Sequence, residues 1–254
     1  MRKSPPCRGD PGAPCQGCPV CKLPRRYRTV ACMAILLASY RPLIQTSAGR
    51  HAVKTSVLEP FLDGSCRREP DFNSPFPSIT GLCRAAKLAP RLACGDEVIY
   101  ITAKSTFGTS TPSHRYFVAH LEVVRRFQSH ADAADWYTEQ KFAIPTNCMT
   151  HDSKPLPYAE TGGRWSRRKP RLSEQVRLKL WDDGYRDRAR THPVFLACKT
   201  RCLELQAPVR IEDVDLLKIF GRVPGTQNPP EITRSKANAL LALASQPNAP
   251  RYAG

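Results

Sequence analysis

Two apolar runs with a two-residue period constrain this chain more than anything else in it. Glu97–Thr102 (EVIYIT) alternates Val98 and Tyr100 on one face with Ile99 and Ile101 on the other. Tyr116–Val124 (YFVAHLEVV) alternates Phe117, Ala119, Leu121 and Val123 inward, with His120 and Glu122 turned the opposite way. Residues 103–115, rich in Gly, Ser and Thr, join them, which is the pattern of a β-hairpin. Gly95-Asp96 supplies a turn just before the first run.

Other elements arrange themselves around the hairpin. Met33–Tyr40 reads as a buried strand, and Val30–Ala38 after the basic residues 22–29 also has the outline of a signal peptide. No small-x-small cleavage site follows and Tyr40-Arg41-Pro42 comes next, so the core strand is the simpler reading; Met33 would then serve as a start residue. Residues 41–77 read as loop, with a compact polar segment at Leu62–Pro70. Ser78 is placed to cap a helix through about Leu88, with Ile79, Leu82, Cys83 and Ala86 on one face and Pro90 ending it. Ser129 caps a second helix, where the Asp132 carboxylate favours the N-terminus. Residues 143–175 read as irregular and basic, Pro193–Lys199 as a strand, and Glu212–Phe220 and Ser235–Leu243 as helices. The expected class is α+β: a small, mostly antiparallel sheet with helices packed around it, since regular βα alternation is missing. The expected organisation is an extension over 1–32, one domain over 33–245 with a basic insertion at 150–180, and a flexible tail over 246–254.

Composition narrows the partner. The 39 Lys+Arg against 22 Asp+Glu give a formal charge of +17, which favours an anionic partner such as nucleic acid. Residues 1–30 hold +6 of it and Arg164–Lys179 another +6, so the charge is clustered. No apolar run is long enough to span a membrane. The 11 cysteines are odd in number and irregular in spacing, a poor disulfide framework that suits a reduced, cytoplasmic protein. Cys83, Cys94 and Cys198 lie within apolar patterns and read as small buried hydrophobes. Cys7, Cys15, Cys18 and Cys21 come close to metal-ligand spacing, but the Pro/Gly-rich stretch offers no compact partner and no placed His, so no metal and no cofactor is expected.

The helix at Ser78–Leu88, Gly95-Asp96 leading into Glu97–Thr102, and the hairpin into Tyr116–Val124 together resemble the PUA-like barrels, a group that includes ASCH, EVE and YTH domains. The arrangement from Met33 to about Thr233 is similar to bacterial and phage nucleotide-modification-associated domains. The resemblance implies a PUA-like β-barrel that binds RNA or DNA. It also implies a pocket for a modified base, in a system of DNA or RNA modification or defence. The positions it implies for that pocket are Tyr100, Lys104, His114 and Tyr116. The chain departs from a cage of several tryptophans, having only Trp136, Trp165 and Trp181.

Further candidates come from the residues themselves. Arg67 and Arg68 stand beside Ser65 and Cys66 in one loop, suited either to phosphate oxygens or to ion pairs with Asp63, Glu69 or Asp71. Asn147 offers a donor and an acceptor to a base edge, or stabilises a turn. Arg222, Thr226, Gln227 and Asn228 form a rigid polar loop. Arg164–Arg171, with Trp165 among Arg167 and Arg168, suits single-stranded nucleic acid or a solvated loop. Catalytic signals are thin. Cys148 near His151 and the His120/Glu122 strand face are the candidates for thiol and acid–base chemistry, and no GxxxxGK[ST], GxGxxG or HExxH occurs. The expected function is nucleic-acid or nucleotide binding; the alternatives are a nuclease or base-modifying enzyme and a protein-interaction module with a basic surface.

Overall fold

A computed structural model describes residues 33–109, 111–150, 152–163, 171–225, 227–246 and 250–252. Seven strands, β1 (Ile35–Tyr40), β2 (Ser78–Thr80), β3 (Glu97–Thr102), β4 (Arg115–Phe127), β5 (Phe195–Leu203), β6 (Val209–Ile211) and β7 (Glu231–Ile232), form one sheet in the order β2-β5-β4-β3-β1-β7. The helices are α1 (Ser47–Thr55), α2 (His130–Glu139), α3 (Glu174–Thr191), α4 (Asp213–Phe220) and α5 (Arg234–Ala244). β1 and β3 run parallel, with Ile35 opposite Glu97 and Tyr40 opposite Thr102; every other pairing is antiparallel. Strand β4 is the spine. β3 lies along one edge, and β5 and β6 share the other end to end.

The α+β class and the mostly antiparallel sheet agree with the sequence. Closure into a barrel does not appear: among the described residues no ladder joins β2 to β7. The extension over 1–32 and its four cysteines lie outside the described residues. No helix in the described residues is long and apolar enough to cross a membrane.

Alternation along β3 divides the core as expected. Val98 and Tyr100 pack with Leu36, Ala38 and Tyr40 under the long connection from β1 to β3, whose Leu43, Ile44, Phe61, Phe72, Leu88 and Leu92 cover that face. Ile99 and Ile101 pack with Ile35 and Leu37 under α4 and α5, through Leu216, Ala237 and Leu240. β1 is buried on both faces, as a strand covered on both sides must be. On β4 the alternation breaks. A bulge lets Tyr100 face Ala119 and Ile101 face Phe117, leaving Val118 over. Phe117 therefore joins the α4/α5 core while Tyr116, Val118 and Ala119 join the other. One extra residue shifts the phase of everything beyond it.

Three local readings are corrected. Ser78 does not cap a helix: Ser78–Thr80 pairs antiparallel with β5, Ile79 is fully buried, and the Ser78 hydroxyl donates to Asn147 Oδ1 at 2.7 Å. β-branched Ile79 and Thr80 suit that ladder, and Ala85 at φ 48° interrupts any helix beyond it, leaving only two short 3-10 turns. α1 forms where only loop was expected, capped by Thr46, whose hydroxyl accepts from Gly49 N at 2.9 Å. Gly49 is needed there because a Cβ would sit 1.8 Å from the Leu43 carbonyl oxygen. α3 was missed altogether. Cys198 is buried as expected, whereas Cys83 and Cys94 are exposed.

The remaining helices start where the chain offers caps. Ser129 Oγ accepts from Asp132 N at 3.1 Å to open α2. Asp215 Oδ2 accepts from Glu212 N at 3.0 Å to open α4, and Gly221, at φ 72°, closes it in the left-handed conformation.

Candidate functional site

The chemistry-rich part of the chain is the connection between β1 and β3. Its segment Leu62–Asp71 is organised by carboxylates. Asp63 Oδ1 accepts from Ser65 N at 2.9 Å, from Ser65 Oγ, and from Glu69 N at 3.1 Å, which folds the loop onto itself. Glu69 Oε1 accepts from Thr80 N at 2.8 Å; Glu69 Oε2 accepts from Thr80 Oγ1 and from Asn147 Nδ2 at 3.0 Å. Burial pushes the Glu69 carboxyl up to about 8, against the pull of these donors.

α3 closes the site. Its inward stripe is Leu178, Trp181, Tyr185 and Ala189, packed on Cys66 and Leu82. Arg67, wholly buried, anchors the loop to this helix: Nε donates to Asp182 Oδ1 at 2.6 Å. Its terminal nitrogens donate to the carbonyls of Thr146, Lys154 and Ser153 at 3.2, 3.0 and 3.1 Å. Arg186 completes the knot by donating to Asp182 Oδ2 at 3.0 Å. Arg68 donates to the carbonyls of Asp63 and Glu160.

Between the loop, the end of β1, the turns after β2 and α3 lies a cleft of about 570 Å³. Asp63, Ser65, Cys66, Glu69, Tyr40 and Tyr185 are its buried lining residues, with Ser39; Arg41 and Lys87 are exposed, with Arg84 and Arg188 between the two groups. The Trp181 and Tyr185 rings lie 6.1 Å apart at 33°, and the Arg188 guanidinium stands 5.0 Å over Tyr185. Arg84 donates to the Ser39 carbonyl and Arg188 to that of Leu82. The lining thus combines buried carboxyl groups, exposed cations and two aromatic rings.

Thiol chemistry is poorly served here. Cys66 is pushed up to about 12, by burial first and then by the Asp182 charge. Cys83 reaches solvent at the cleft but is otherwise enclosed, against Tyr185 Oη at 3.9 Å; that enclosure and then Asp63 and Glu69 push it up to about 12 as well. Cys148 is buried, donates to the His130 carbonyl and is pushed up to about 12 by burial. A thiol that holds its proton is a weak nucleophile. The other catalytic candidates are also tied: His120 Nε2 meets Glu97 Oε2 at 2.8 Å, and Glu122 accepts from Arg201.

Of the ten residues singled out by sequence, none of the eight that are described lines the cleft. Tyr100 is in the core, with Oη buried and unbonded. Lys104 pairs with Asp213. His114 is buried, bonding Pro112 O at 2.8 Å and Tyr116 Oη at 3.0 Å, and Tyr116 packs among Phe61, Phe107 and Tyr252. Arg67 and Arg68 turn their donors inward: Arg67 pairs with Asp182, a partner the sequence reading did not consider, rather than with Asp63, Glu69 or Asp71, and Arg68 donates to backbone carbonyls. Asn147 is fully buried; its amide donates to Glu69 and accepts from the Ser78 hydroxyl. Arg222 is exposed beyond α4. Arg167, Arg168, Thr226 and His151 lie outside the described residues. The cleft does include Ser65, Cys66 and Gln227 from the polar loops noted in the sequence. Trp181 and Tyr185 were missed with α3, although the 178-181-185-189 spacing and Ser173, whose hydroxyl caps the helix, mark it.

No family model matches the chain, and no curated protein matches it. Among solved structures it is similar to the crystal structure of ASCH from Zymomonas mobilis, at 14% identity over 84% of this chain and 96% of that one, with a TM-score of 0.32. ASCH domains are among the groups the Gly95-Asp96 strand and its hairpin resemble. At that score the description of the fold rests on the strand order and registers given above.

Proposed function

We propose that this chain binds nucleic acid by taking one nucleotide into the cleft between the Leu62–Asp71 loop and α3. The observation that carries the reading is the polarity of the cleft. Exposed Arg41 and Lys87, with Arg84 and Arg188, suit phosphate; Trp181 and Tyr185 suit the face of a base; Asp63, Ser65 and Glu69 suit its edge. The volume, about 570 Å³, falls within the range of small-molecule sites. The resemblance noted in the sequence adds that the base carries a modification.

A formal charge of +17 would give some affinity for any polyanion, so charge alone is not the test. The test is anisotropy of a labelled single-stranded oligonucleotide, titrated at several salt concentrations with wild type and Trp181→Ala. Binding that weakens with salt, is competed by free nucleotide and is lowered by Trp181→Ala supports the reading. No binding at low salt, or binding that ignores both Trp181→Ala and nucleotide, defeats it.

A further inference from the structure

We infer that the outer face of α2, with the aromatic rings beside it, is a docking surface for an arginine-rich peptide segment that carries apolar anchors. None of its residues lines the cleft, so the inference stands apart from the nucleotide reading.

The surface begins with a cluster of rings that the fold leaves partly uncovered. Phe76, Phe127, Trp136 and Phe142 are all half-buried and pack against the small core of Ala133, Ala134, Tyr137 and Phe195. The Phe76 ring lies 5.3 Å from Trp136 and 5.6 Å from Phe142, and Phe127 lies 5.7 Å from Trp136, centroid to centroid. Tyr137 Oη donates to the Phe76 carbonyl at 2.5 Å, which fixes the loop carrying Phe76 to the helix. Ile144, two residues past Phe142, is 45% exposed. A single exposed apolar side chain needs no explanation, whereas aromatic rings in mutual contact at the surface have the composition of an interface centre.

The charge beside the rings identifies the occupant. Asp132, Asp135, Trp136 and Glu139 follow the i, i+3, i+4, i+7 spacing, so three carboxylates and the indole share one face of α2. Ala133, Ala134 and Tyr137 form the buried face. All three carboxylates are exposed, and among the described residues none of them pairs with a cation. The helix contains no Lys or Arg, in a chain of formal charge +17. Arg125 and Lys141, the nearest exposed cations along the chain, lie beyond its two ends. Such a face repels nucleic acid. Arginine suits it on both counts, since the guanidinium forks onto a carboxylate and stacks on an aromatic ring. Apolar side chains between the arginines would cover the exposed parts of the Phe76 and Phe142 rings.

Fluorescence anisotropy of the full chain with a short labelled peptide of alternating arginine and leucine tests this. The titration is run at physiological salt, where screening confines charge effects to near neighbours. Wild type should bind, and Asp135→Lys/Glu139→Lys should weaken binding at least about fivefold. Glu174→Lys/Asp187→Lys adds the same charge on α3 and should leave affinity within about twofold. Trp136→Ala, checked for folding by thermal melting, should also weaken binding at least about fivefold. No binding by wild type, equal losses in the two charge variants, or wild-type affinity in the α2 charge variant overturns the inference. Undiminished binding by folded Trp136→Ala overturns it as well, because the carboxylates alone would then hold the peptide. Should Trp136→Ala unfold, the two charge variants decide.

Discussion

Asp182→Asn isolates the knot that holds α3 against the cleft loop. In the folded protein the Arg67 guanidinium is completely enclosed, and among the described residues Asp182 is its one anionic partner, at 2.6 Å. The asparagine removes the charge and keeps the shape. Losing one member of a buried pair costs about 3–5 kcal/mol, because the remaining ion cannot be hydrated. Three backbone carbonyls go on accepting from Arg67, which places the loss near the lower end. Arg186 loses its partner too, but at 29% side-chain exposure water compensates much of that. The expected loss is therefore about 3–4 kcal/mol, or roughly 6–16 °C in Tm at this chain length. Urea denaturation and calorimetry measure it. The double variant Arg67→Met/Asp182→Leu, which removes both charges and keeps apolar volume, should recover most of the loss. A single-variant loss under about 1 kcal/mol, the scale of an exposed pair, would refute the reasoning. So would a double variant less stable than the single.

Three other outcomes follow from the same structure. Glu69 holds its proton to about 8 when folded, against an ordinary 4.5, so its contribution is present in full below about pH 4.5 and is lost as pH rises through 8. Wild type should therefore lose Tm relative to Glu69→Gln between pH 5 and pH 9, and a constant difference across that range would contradict the assignment. Trp181→Ala should weaken oligonucleotide binding by roughly 5- to 160-fold, the worth of about 1–3 kcal/mol of base stacking, with near wild-type salt dependence. Lys87→Ala should instead lower the slope of log affinity against log salt by about one; an unchanged slope would contradict a phosphate contact at Lys87.

The parts of this molecule legible in its sequence are those governed by near neighbours. The two faces of β3 follow from alternation alone, and α2 follows from Ser129 and Asp132. The β4 bulge leaves no such trace, because a single extra residue looks like continued strand until the partner register is known. Ser78 illustrates the same limit. Its hydroxyl suits a helix cap and equally suits Asn147, 69 residues away, and the ladder with β5 decides between them. Arg67 looks like a phosphate ligand when only its neighbours are visible. Its partner, Asp182, lies 115 residues along the chain on a helix whose charged exterior hid its apolar stripe. The cleft was illegible for that reason: its walls come from distant segments, and the residues that looked most available were the ones consumed in joining them.

The parallel pairing of β1 and β3 carries a consequence for how such a protein can change. Parallel neighbours require a long crossover. Here that crossover runs from Arg41 to Asp96, adds only short β2 to the sheet, and carries the loop, the exposed cations and the carboxyl groups of the cleft. The ladders among β1, β3, β4 and β5 do not depend on what those cleft side chains are. Substitution within the crossover can therefore retune ligand preference while the scaffold stays constant, provided the Arg67 anchor and the Glu69–Thr80 contact are kept. Exchanging the whole segment between chains that preserve those two attachments is the natural unit for reprogramming what the cleft accepts.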